Sequence, residues 1–179
     1  MSHRTKTKRK EAQTIDQVLQ QLDEIVDTSI AQKDYLFLFT HVYRETTAEI
    51  KNAIQNQRFE NPVRMEKMDV VFANLFINAY YDHQVPKSVA SCWKVAFESR
   101  MEKLAFVQHI LLGMNAHINL DLAVAASIVS PGNAIIKLKS DFMIVNQILA
   151  ELTNKIQKRL GRVSFFMKGI SIIMLLIYR

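Results

Sequence analysis

From about residue 102 to residue 129 the chain runs without a proline and with one glycine, Gly113, a stretch that favours one long helix over any turn-rich arrangement. The rest of the sequence is built in the same way. Four glycines and three prolines are spread over 179 residues, so long helices with few breaks are expected throughout. A chain of this size buries roughly two-thirds of its unfolded surface in one domain. The fold class read from the sequence is therefore all-α, a single-domain bundle of about six helices around a long central one.

Apolar spacing places the other helices. Ile15, Val18, Leu22 and Ile25 set the period of a first helix over 14–31, with Thr14 and Gln17 as a capping box. A second, over 34–57, opens on Asp34 as N-cap and carries Tyr35, Phe39, Tyr43 and Ile50 on a stripe that Thr47 interrupts. Asn61-Pro62 starts a third, over 62–81, whose apolar face includes Asp69 between Met65 and Phe72. Pro86 is read as opening a shorter helix with Trp93 and Phe97 turned inward. Ser130-Pro131-Gly132-Asn133 ends the long fifth helix, and a sixth runs from Ser140-Asp141 to about Leu160 with Gly161 as its cap.

This gives a helical domain over 14–161, preceded by a disordered basic arm, 1–13. An apolar segment, 162–179, follows. It reads first as a buried terminal helix; a membrane-associated tail and an incomplete or altered end are the alternatives, since about 20 apolar residues are needed to span a bilayer. Much of the net charge of +6 sits in the arm, at Arg4, Lys6, Lys8, Arg9 and Lys10. The remainder is nearly balanced and has no basic stripe interleaved with aromatics, so nucleic-acid binding is not expected of the folded body. No apolar run follows the basic residues as in a secretory signal, and the single cysteine, Cys92, allows no internal disulfide; a cytoplasmic setting is expected. Beside Trp93, Cys92 reads as a small core residue. His3, His41 and His109 have no supporting neighbours and are expected at the surface.

The chemistry concentrates in the long helix. Asn115, His117, Asn119 and Asp121 alternate with Ala116, Ile118 and Leu120. On a helix His117 and Asp121 are neighbours four apart, in line with Gly113, while Asn115 and Asn119 pair on the opposite side. Four polar residues enclosed within one central helix require partners, because a buried polar group without one costs a few kcal/mol. Gly113, unfavourable in a helix interior by about 1 kcal/mol, is expected to permit close approach of another backbone or a ligand. Strict alternation over these residues also fits a half-buried strand, but flanking helices and the lack of a partner strand argue for helix.

If the constellation is catalytic, His117 is the acid/base and Asp121 or Asp69 orients it. Asn115 and Asn119 would polarise a carbonyl or hold a hydroxyl, and Tyr43, Thr47, Tyr80 and Trp93 are candidate walls of a ligand pocket. A metal would need a third ligand beyond His117 and Asp121, from Asp69 or from Asp82 and His83. The alternative is a non-catalytic structural or interaction protein in which the same side chains form an internal hydrogen-bond network. No sequence feature names a cofactor. Motifs for di-iron bundles, zinc proteases, nucleotide-binding glycine loops and serine hydrolases are all absent.

The string Leu112-Gly113-Met114-Asn115-Ala116-His117-Ile118-Asn119-Leu120-Asp121-Leu122 resembles the signature of a helical family, domain-of-unknown-function family 5995. Tyr43 with Thr47, Met68-Asp69 with Phe72-Ala73, Tyr80, and Trp93 with Phe97 extend the resemblance over about residues 35–160. It implies the helical fold and the place of a shared polar site, without an activity. The apolar end departs from the more polar continuation that the resemblance implies.

Overall fold

The computed structural model describes residues 10–85 and 88–159, without the side chains of 155–159. Among these residues there are helices and no strands. The helices are α1 (Ile15–Ala31), α2 (Leu36–Gln55), α3 (Pro62–His83), α4 (Ser91–Glu98), α5 (Phe106–Val129) and α6 (Lys139–Arg159). Tight helical turns at Ser99–Met101 and Gly132–Leu138 join the last three. The basic arm up to residue 9, the cap expected at Gly161 and the apolar segment 162–179 lie outside the described residues.

Local chemistry explains most of the helix starts. The Thr14 side chain accepts from the Gln17 amide, but the Gln17 carboxamide bonds the Gln13 amide, so the capping box closes one residue earlier than expected. Asn61 accepts from the Arg64 amide at 2.9 Å and Pro62 occupies the first position of α3. Asp34 does not sit at the cap of α2, which is Tyr35; it is buried, accepting from the Leu36 amide at 2.8 Å and facing Arg100 at 3.4 Å. The helix start expected at Pro86 lies outside the described residues. The fourth helix starts at Ser91, with 88–90 outside any helix and Ala90 as its cap.

α5 is shorter than read from the sequence, since residues 102–105 precede it and the Ala105 amide is taken by the Gln108 side chain at 2.8 Å. It is also not uniform. From His117 to Asp121 the backbone widens into a π turn, in which the Leu122 amide donates to the His117 carbonyl five residues back. Such turns are rare and cluster at functional positions.

Two apolar clusters make up the core. One gathers α1 to α4 and the first half of α5 around Phe39, Phe76, Trp93 and Phe97; the other joins Ile50, Met65, Met68, Ala125, Leu138 and Ile148. Phe72 packs against both, and the π turn lies beside that seam. α6 is anchored at its first turn. The fully buried Asp141 carboxylate accepts from the Glu60 amide at 2.7 Å and from Arg64 at 2.6 Å. With both oxygens bonded, it ties the start of α6 to the start of α3.

α5 touches α2, α3 and α4 but is not enclosed on all sides. Asn115 and Asn119 are exposed and hydrogen-bond to one another at 2.7 Å, contrary to the expectation that they are buried. Two residues along a helix turn about 200°, so alternation sends His117 and Asp121 inward and both asparagines out. Val124 and Ile128 are also exposed. By length and composition α5 would suffice to cross a membrane, although 39% of its most apolar window is buried in the fold. His41 is exposed as expected, but His109 is buried and stacks on Tyr35 at 4.7 Å, an aromatic contact that its sequence neighbours do not announce.

Gly113 admits a close approach by a side chain, not by a backbone or a ligand. A Cβ there would lie 2.3 Å from the Phe39 ring. Gly113→Ala should therefore lower stability by about 1–2 kcal/mol, the cost of overpacking less the gain in helix propensity. Thermal denaturation should show a decrease of several degrees.

Candidate functional site

The imidazole of His117 is held by three neighbours, Asp121, Phe72 and Tyr43. Its Nδ1 lies 3.0 Å from Asp121 Oδ2 across the π turn. Asp121 in turn accepts from the indole Nε1 of Trp93, at 3.0 Å and 3.2 Å to its two oxygens. Phe72 stacks on the imidazole at 3.6 Å and 9°, and the Tyr43 ring meets it edge-on at 4.3 Å. The acceptor at Nδ1 keeps the proton on that nitrogen and leaves a lone pair on Nε2. Nε2 is buried and has no hydrogen-bond partner.

His117 is among the residues lining a cleft of about 90 Å³ between α2, α3, α5 and α6, partly open to solvent. One water needs roughly 15 Å³, so several waters or a small molecule fit. The walls are mostly apolar, including Phe39, Met114, Ile118, Phe142 and Val145, with Tyr43, Asp69, His117 and Asn146 as polar points. Asp69 Oδ2, the Tyr43 hydroxyl and Asn146 Oδ1 are, like His117 Nε2, buried without a partner. Tyr43 and Thr47 interact, but neither hydroxyl closes a well-formed hydrogen bond. Buried polar atoms are nearly always paired, so four unpaired ones on residues that line one hollow set this region apart from the rest of the core.

Burial sets the protonation states. It pushes the Asp69 carboxyl up to about 8, helped by the Glu66 charge one turn away, so at neutral pH Asp69 mostly holds its proton. Burial pulls His117 below its ordinary value, against the opposing pull of Asp121, and keeps it neutral. The Tyr43 phenol is raised, chiefly by burial and then by Asp69. The cleft thus presents a neutral imidazole base and a protonated acid, two titratable groups driven apart by their surroundings. No lysine or arginine is among the described lining residues.

The structure brings His117, Asp69 and Tyr43 to the cleft, joins Asp121 and Trp93 to them through the imidazole, and places Thr47 fully buried beside Tyr43. It does not bring Asn115, Asn119 or Tyr80. The asparagines face solvent, and Tyr80 is packed in the core edge-on to Tyr81 at 4.9 Å. Nor do Asp82 and His83 complete a metal set. His83 packs on Phe97 at 4.9 Å, and among the described residues no three His, Cys, Asp or Glu side chains group to hold an ion. Cys92 is half-buried at the edge of the first core cluster.

Phe72 and Asn146 also line the cleft and were not among the expected residues. Phe142, Val145, Asn146 and Leu149 follow the spacing of a single helix face, and an asparagine inside that stripe is the sequence signal for the second. Phe72 is indistinguishable in sequence from an ordinary core aromatic.

No curated protein and no solved structure matches the chain. A family model does match, over residues 15–175, and so reaches well into the apolar segment that was expected to depart from the family. With the match covering most of its length, the chain belongs to the family of unknown function DUF5995.

Proposed function

We propose that this protein binds a small molecule in the cleft between α2, α3, α5 and α6 and can exchange a proton with it. In this reading His117 is the base, Asp121 is a positioning residue that fixes the imidazole tautomer, and Asp69 is the acid. The observation that carries it is that four residues with an unpaired buried polar atom, His117 (Nε2), Asp69 (Oδ2), Tyr43 (Oη) and Asn146 (Oδ1), line one hollow. A structural network alone does not need a hollow. Asp121 to His117 is the arrangement that orients catalytic imidazoles in unrelated enzymes, and the pairing of a neutral imidazole with a protonated carboxyl suits proton transfer.

A second reading is favoured by a different observation. The Trp93–Asp121–His117 chain is internally satisfied at four of its polar atoms and links α4 to α5. On that reading these residues only hold the helices in register. The two are separated by screening small neutral fragments by thermal shift and imidazole NMR. Binding that displaces the His117 signals, and that is lost in His117→Ala, supports the site. A His117→Ala protein that merely melts several degrees lower, with no fragment binding to the parent, supports the internal network.

Two measurements check the electrostatics. Nitrogen NMR of the imidazole should show a neutral ring with the proton on Nδ1 at neutral pH, titrating below 6.5; titration above that value would contradict the burial argument. Asp69 should make stability fall as pH rises between 3.8 and about 8, because only the folded state keeps the proton there. The limiting slope is about 1.4 kcal/mol per pH unit. His117 acts in the opposite sense, costing stability as pH falls through 6.5. Asp69→Asn should remove the first slope and expose the second, as read by chemical denaturation across pH.

A further inference from the structure

We propose that the cleft takes a neutral, largely apolar molecule bearing a hydroxyl group, a phenol or a short alcohol, whose oxygen sits among His117 Nε2, Asp69 Oδ2 and Tyr43 Oη. The proposal rests on the reading of the cleft as a small-molecule site and adds the chemistry of what fills it. Hydrogen-bonding capacity decides the head group. His117 Nε2 presents a lone pair and needs a donor, since Asp121 already takes the Nδ1 proton. The Tyr43 hydroxyl and the protonated Asp69 carboxyl each have a hydrogen to give. A hydroxyl is the smallest group that donates one hydrogen and accepts two, and so can serve all three atoms at once.

Other head groups leave something unpaired. A carboxylate or phosphate has no hydrogen for Nε2, and no cation among the described lining residues offsets its charge. A ketone accepts from Tyr43 and Asp69 but leaves Nε2 alone. An ammonium would have to be paired with an ionised Asp69 inside an apolar wall, where desolvation of two charges competes with their attraction. The body of the ligand follows from the walls. Phe39, Met114, Ile118, Phe142 and Val145 offer no polar atoms to it. A closed apolar cavity of about 150 Å³ takes benzene. This cleft, at about 90 Å³ but open on one side, has room for one ring or a short chain with its far end toward solvent.

The test compares para-cresol, toluene, para-toluate and benzylamine, four molecules of similar shape, by calorimetry and imidazole NMR on the full chain. Para-cresol should bind at least about tenfold more tightly than toluene, as two or more buried hydrogen bonds require. It should also exceed the acid and the amine. Tyr43→Phe, which removes a hydroxyl that the fold leaves unpaired, should weaken para-cresol several-fold and leave toluene unchanged. If toluene equals para-cresol, if the acid or the amine binds more tightly, or if Tyr43→Phe has no effect, the hydroxyl assignment is overturned while the cleft remains a small-molecule site. If none of the four binds or shifts the His117 signals, both the assignment and the site reading fall.

Discussion

The bond between His117 and Asp121 organises the centre of this molecule. It spans a π turn and lies beside the seam between two apolar clusters, and the same carboxylate reaches the indole of Trp93. A carboxylate enclosed at that depth needs good donors, and Asp121 has them from two side chains on two helices. The imidazole is then stacked on Phe72 and met edge-on by Tyr43, which restrains the direction of its free nitrogen. Positioning of this kind is what a binding or proton-transfer site requires, and here it comes from side chains on rigid helices.

The long-range order of the fold was legible because helix periodicity is a local property. Asn61-Pro62, the breaks at 130–133 and the stripes on α1 and α2 located their elements closely. Pro86 is compatible with a helix start but does not enforce one, and α4 starts at Ser91 after its cap at Ala90. The π turn could not be separated from α-helix by pattern, since one extra residue in a turn leaves the spacing of five residues ambiguous.

The residues that line or adjoin the candidate cleft were legible only in part. His117, Asp121 and Asp69 stand out because charged or polar residues inside apolar faces are costly, and burial then proved real. The inference failed at Asn115 and Asn119 because it assumed a helix covered all round. Periodicity reports which residues share a face and says nothing of how many neighbours cover the helix. Asn146 comes from α6 and lines the same cleft as His117, and α6 is anchored at Asp141 by a contact with Arg64, 77 positions away. Such tertiary pairings have no signature in a single sequence.

The chain has one tryptophan, and it is the residue hydrogen-bonded to Asp121. An indole is fluorescent, and its emission responds to charge and hydrogen bonding at its ring nitrogen. Trp93 is therefore a built-in optical reporter, one carboxylate removed from the imidazole. Events at His117 can be followed by intrinsic emission without a label, and with no second indole to dilute the signal.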